Sequence, residues 1–262
     1  MNDQTPANPP PLPPHLTAAG EFRESPPDAA ELAPIRGFAG VLEALLRRPR
    51  GVLHHLSGTD STRLIGLMLF IAAVGAALYG VVVGTFAGGG QLWAVPVKIT
   101  GGLLVCGVIC LPSLYVFACL TGSTARLADV AGMVAGLLAL MTLLLFSFAP
   151  VAWVFSQSTE SVVAMGTLHL VFWLIATYFG ARFMYRGMAR LGARSEGAFY
   201  FWITVFVLVA LQMTTALRPL VGKADTFLPK EKKFFLQHWG ENLSEAGGRS
   251  SDAPPITNPT PR

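Results

Sequence analysis

Apolar positions in this chain gather into five long runs, from about Leu64 to Phe86, Trp93 to Leu120, Leu127 to Phe155, Val162 to Met184 and Phe199 to Leu217. A helix needs about 20 mostly apolar residues to cross the hydrocarbon core. Each run is therefore expected to be one transmembrane helix. The second and third are longer than the minimum, which implies tilt or extension beyond the bilayer. Asp60, Ser61 and Thr62 precede the first run as candidate caps. The connections Ala87 to Leu92, Thr121 to Arg126 and Ser156 to Ser161 are short, so consecutive spans there should be antiparallel neighbours. The fourth, Tyr185 to Ala198, is longer, and none leaves room for an extramembrane domain. The pattern predicts an all-α, polytopic membrane helix bundle over residues 63–220.

The flanks read differently. Residues 1–33 hold Pro6, the run Pro9-Pro10-Pro11-Leu12-Pro13-Pro14 and Pro26-Pro27. Such a segment buries too little apolar area to offset its ordering entropy. It is expected to be a disordered cytosolic tail with local polyproline II character, with a ligand for a proline-binding groove as the alternative. In residues 34–62, Phe38, Val41, Leu42 and Leu45 recur at helical spacing, with Arg36, Glu43, Arg47, Arg48 and Arg50 beside them. Pro49 should break or kink this helix. Val52, Leu53 and Leu56 then resume an apolar face beside His54 and His55. Two placements fit: a helix lying in the membrane interface, or one docked on the protein's own cytosolic face. After the last span, residues 221–243 form a second amphipathic segment. In it Lys230, Lys232 and Lys233 sit beside Phe234, Phe235 and Trp239. Residues 244–262 are polar, glycine- and proline-rich, and expected to be disordered.

Charge supports the membrane reading. Of 262 residues 13% are charged against 52% hydrophobic, and only Lys98, Arg126, Asp129 and Glu160 are charged between Leu64 and Ala181. A water-facing domain could not leave so long a stretch bare, whereas in lipid exposed charge is the costly feature. The net charge of +4 does not point to nucleic acid, because the basic residues flank the spans. That placement serves topology and attraction to anionic headgroups. The first residues lack the order of a secretory signal, so the first span is expected to be retained.

Lysine and arginine bias in short loops sets orientation. Arg47, Arg48, Arg50 and Arg63 near the first span, Arg126 in the second connection, and Arg182, Arg186, Arg190 and Arg194 near the fourth place those segments in the cytoplasm. Five spans then put the C-terminal tail in the periplasm, against which stand its Arg218, Lys223, Lys230, Lys232 and Lys233. Aromatic belts agree, with Trp93 and Trp153 at one interface and Tyr185, Tyr200 and Trp202 at the other.

Candidate chemistry is sparse. Arg182, Arg186, Arg190 and Arg194 are spaced by four, one basic stripe on a continuous helix, for anionic lipid, an acidic partner or plain anchoring. Gly187 and Gly192 weaken that helix. Arg47 and Arg48 join the same lipid- or partner-binding set. His169 lies about two turns inside the fourth span, a candidate site or a neutral histidine bonded to a neighbouring helix. Lys98 is near the outer end and can snorkel. Asp129 caps the third span or pairs with Arg126. Pro112 and Pro150 interrupt their helices, as breaks in transporters do, or as packing kinks. Gly80-x-x-x-Gly84 and Gly132-x-x-x-Gly136 are close-packing faces, within one chain or across a dimer. Cys106 and Cys110 could share a helix face, and with Cys119 they read as packing residues rather than a disulfide or metal site. There is no His-Glu-x-x-His, Walker loop or Gly-x-Ser-x-Gly elbow. No enzyme activity, metal or cofactor is expected.

Five spans, a long N-terminal tail and short connections resemble the Yip1 family over roughly Arg63 to Leu217; the Asp-Leu-Tyr-Gly-Pro signature of its eukaryotic members is absent. Gln212-Met213-Thr214, then Leu217-Arg218-Pro219-Leu220-Val221-Gly222 and an aromatic segment through Phe234 and Phe235, is similar to a group of uncharacterised bacterial multi-span proteins. The resemblance implies architecture rather than chemistry. Gln212 could bond across helices and Arg218 anchor the helix end. The expected function is a non-enzymatic protein that organises partners or lipids at the bacterial inner membrane, its partners being membrane lipids, anionic headgroups, another copy or another membrane protein. The alternative is a small transporter or channel with a polar site near Lys98 and His169 and a water-accessible cavity between spans two, three and four.

Overall fold

A computed structural model describes residues 33–35, 37–58, 61–87, 91–159, 161–192 and 196–216. The two tails lie outside them, as do Arg36, Asp60, Glu160, Arg194, Arg218 and the amphipathic C-terminal segment. The described residues contain seven helices and no strand: α1 (Gly37–Arg47), α2 (Pro49–Leu56), α3 (Ser61–Ala87), α4 (Gln91–Leu120), α5 (Leu127–Ser158), α6 (Val162–Arg190) and α7 (Glu196–Ala216). Helices α3 to α7 are each long and apolar enough to cross a membrane. The chain is a polytopic membrane helix bundle.

Helix α5 is the axis of the bundle. Of its apolar stretch 72% is buried, against 22–39% in the other four spans. It packs on α3, α4 and α6, while α4 also packs on α3 and carries α7 on its far side. Helices α3, α4 and α5 thus pack mutually, with α6 added on α5 and α7 on α4. Consecutive spans are neighbours through α6, but α7 joins α4 instead of lying along α6.

Missing side chains allow these close approaches. A Cβ at Gly75 of α3 would sit 3.0 Å from Thr142 Oγ1 of α5, and one at Gly80 would sit 2.5 Å from the Cα of Pro96 on α4. A Cβ at Gly136 of α5 would run into the Phe183 ring of α6, and one at Gly132 would lie 2.5 Å from Leu56 of α2. The Gly80, Gly132 and Gly136 surfaces are thus used within one chain. Lipid gives helices no hydrophobic reason to associate, so such fitted contacts carry the packing.

The predicted first amphipathic helix is two helices. Pro49 is the first residue of α2, and Arg48 ahead of it takes φ −134°, outside helical geometry, while its N–H still reaches the Ala44 carbonyl at 2.8 Å. Val41, Ala44, Leu45, Val52, Leu53 and Leu56 are buried. Both helices pack on α3 and α5, and α2 also on α6. Of the two placements the sequence allowed, the structure has the pair docked across the end of its own bundle. That end, the basic end of the bundle, also carries the α4–α5 and α6–α7 connections.

Candidate functional site

The basic end gathers arginines from separate stretches of the chain. Arg182 and Arg186 occupy successive turns of α6. Arg50 of α2 lies across the α2–α6 seam from this end of α6. Arg190 Nη1 donates to the Arg50 carbonyl at 3.2 Å. The stripe predicted over Arg182, Arg186, Arg190 and Arg194 is shorter than expected. Helix α6 ends at Arg190, and Gly192 takes φ +77°, the left-handed conformation that closes a helix. Ser123 Oγ of the α4–α5 connection donates to the Leu191 carbonyl at 2.9 Å and fixes that end in place.

Arg47 and Arg48 sit at the α1–α2 break, where Glu43 reaches them at 4.0 and 3.9 Å. Arg50, Arg182 and Arg186 have no carboxylate partner among the described residues. Beside the seam, between α2, α5 and α6, lies a cavity of about 100 Å³ lined by Leu53, Ser57, Asp129, Gly187 and Arg190 among others. Asp129 caps α5 as the sequence suggested: its Oδ2 accepts from the Arg126 backbone N–H at 2.9 Å. The contact is with the main chain, the favourable place for a carboxylate at a helix N-terminus.

Away from the basic end, His169 of α6 is half-buried and meets Tyr79 of α3. The Tyr79 hydroxyl and His169 Nδ1 are 2.7 Å apart, with the two rings edge to face at 5.7 Å. Tyr79 itself is buried. His169 Nε2 is buried too and has no hydrogen-bond partner among the described residues. The histidine therefore has the neighbouring-helix partner that the plainer sequence reading required, and one ring nitrogen left over. Its partner was not singled out from sequence, because one tyrosine in an apolar span looks like any belt or packing residue.

Lys98 differs from expectation. Its side chain is 2% exposed, so it is held inside the protein and does not snorkel to the surface. It is not brought to His169 by helix packing either: among the described residues α4 and α6 are not an extensively packed pair. Gln212 is exposed on α7. Cys106 and Cys110 are buried on α4 and Cys119 is exposed. No three metal-ligating side chains converge among the described residues.

Trp202, expected from the sequence in an interfacial belt with Tyr185 and Tyr200, is instead fully buried. Its indole N–H donates to Ser113 Oγ at 3.0 Å and to the Cys110 carbonyl at 3.3 Å, within the turn of α4 that holds Pro112. Phe199, Trp202, Phe206 and Ala210 are all buried on α7. That helical spacing was the available signal. Trp93, Trp153 and Tyr200 are exposed, as belt residues should be.

Compared with protein-family models, with curated proteins and with solved structures, the chain matches none of them.

Proposed function

We propose that this is a non-enzymatic integral protein of the bacterial cytoplasmic membrane that organises lipids or partner proteins at the inner face, in the manner its Yip1-like architecture implies. The observation that carries this reading is the docked α1–α2 pair. It closes one end of the bundle and brings Arg47, Arg48 and Arg50 to the same end as Arg182, Arg186 and Arg190. A basic end of this kind belongs on the cytoplasmic side, against anionic headgroups. Another copy or another membrane protein can occupy the same platform. The test is isolation of the full chain from native membranes in a gentle detergent. A defined partner or anionic lipid should co-purify in a fixed ratio, and recovery of neither at normal abundance would remove the reading.

A second reading, a small transporter or channel, rests on the open Nε2 of His169 beside Tyr79. It requires flux in vesicles reconstituted with the full chain, and loss of that flux in His169→Leu. Absence of flux in the unmodified protein would end it.

A further inference from the structure

We infer that the seam between α2 and α6 is a binding site for an anionic phospholipid whose headgroup carries two phosphates, with its acyl chains lying along the exposed face of α6. The inference rests on the platform reading above and names the lipid and the residues.

Three observations converge. First, Arg182 and Arg186 stand one turn apart on α6, and Arg190 one turn further binds the carbonyl of Arg50 on the docked α2. The three free guanidinium charges of Arg50, Arg182 and Arg186 thus meet at one seam, with no carboxylate partner among the described residues. Like charges kept together are unfavourable until a counter-anion arrives, and guanidinium forks match phosphate oxygens in pairs. Three such groups exceed what one phosphodiester neutralises and suit two phosphates joined by a glycerol. Second, the same face of α6 continues away from the basic end as Tyr178, Ile175 and Val171, all exposed. With steps of three and four residues they stand in line with Arg182 and Arg186. A headgroup at the arginines would lay its chains on this stripe, which a free anion or an acidic peptide would leave unused. Third, the seam is fixed. Gly187 lets α2 and α5 close on α6, since a Cβ there would meet Met133 Sδ at 2.5 Å and Leu53 at 3.0 Å. Arg190 also ties α6 to the Arg50 carbonyl. The arginines are thus presented by helices already locked together, which lowers the ordering cost of binding.

The test uses the full purified chain in lipid nanodiscs. Discs contain phosphatidylcholine with either diphosphatidylglycerol or phosphatidylglycerol, matched for total negative charge. Bound lipid is counted by native mass spectrometry after gentle release. The chain should retain diphosphatidylglycerol preferentially, and Arg182→Gln with Arg186→Gln should weaken that retention about thirtyfold, at about one factor of five per charge. Arg182→Lys with Arg186→Lys, which keeps the charge but loses the fork, should fall between, while Arg63→Gln should match the unmodified protein. Equal retention of the two lipids at matched charge overturns the inference but leaves the platform reading standing, as that reading fails only if neither lipid nor partner co-purifies. Competition by the water-soluble deacylated headgroup as effective as that of the intact lipid overturns it as well, by removing the role of the α6 stripe. So does displacement by an acidic peptide of equal charge, which would assign the seam to a protein.

Discussion

Tyr79 on α3 and His169 on α6 join hydroxyl to imidazole across 2.7 Å, linking two spans that both pack on α5. Both residues lie well inside their helices, seven or eight residues from the ends remote from the arginines (162 to 169, and 79 to 87). At about 1.5 Å per residue that is about 10–12 Å of depth, where water offers no substitute partner. Interhelical bonds in membranes measure about 0.6 kcal/mol on average and about 1.7 at most. Tyr79→Phe should therefore destabilise the bundle by about 1 kcal/mol, measured by unfolding in mixed micelles. His169→Leu should cost a similar amount, and the double variant less than the sum of the two. Strict additivity would show that the bond does not couple the helices.

Trp202 should be the main anchor of α7. Removing its side chain opens a cavity and strips the donor from Ser113 and the Cys110 carbonyl, a loss of about 3–5 kcal/mol for Trp202→Ala. Trp202→Phe keeps most of the area, and with it a stacked neighbour in Phe206, but not the N–H; it should cost about 1–2 kcal/mol. Trp93→Ala, at a residue 80% exposed, is the control and should stay within about 0.5 kcal/mol. Thermal unfolding in detergent compares the three directly. Equal effects at positions 93 and 202 would return Trp202 to the membrane surface.

The five spans were legible because a run of apolar residues needs only length to be read, and the helices begin and end within a few residues of the expected positions, α6 excepted. Helix α6 runs six residues past Met184, because arginine continues a helix about as well as leucine does. Small-residue faces were also visible in Gly80 and Gly136, but not their partners, since a helix face does not say which neighbour it meets. The polar residues were the least legible. Lys98 near a helix end has the same sequence context whether it snorkels or is covered, and only the packing of other helices decides. Tyr79 became notable only once the fold brought His169 to it, and the arginines of α2 and α6 form a cluster only because α2 docks.

Gly80 gives a sharper test of packing than its motif does. The atom facing it is the Cα of Pro96, part of a backbone that cannot rotate aside. Gly80→Ala should therefore push α3 from α4 and cost about 1–3 kcal/mol. At Gly101, on the same α4, a Cβ would meet nothing within 4 Å. Gly101→Ala should be neutral or stabilising by up to about 1 kcal/mol, from better helix propensity. Opposite signs for one chemical change on neighbouring helices, read by the same unfolding assay, would confirm that contact rather than propensity sets the response. A loss at both positions would refute it.

Orientation can be decided at two exposed positions at opposite ends of α5. Thr124 lies in the α4–α5 connection at the basic end, and Gln157 lies near the far end of α5. In a background with Cys119→Ser, which removes the exposed native thiol and leaves the buried Cys106 and Cys110, each position is changed to cysteine in turn. Intact spheroplasts are then treated with a membrane-impermeant thiol reagent. Nine basic residues favour a cytoplasmic basic end, and Arg218, Lys223, Lys230, Lys232 and Lys233 after the last span oppose it. Four of the nine adjoin the first span and five adjoin the second and fourth connections, within the range where the bias acts on insertion. Gln157→Cys should therefore be labelled from outside, and Thr124→Cys only after lysis. The reverse pattern would place the arginine seam in the periplasm, remove the cytoplasmic platform, and mean that the tail charges govern how this protein enters the membrane.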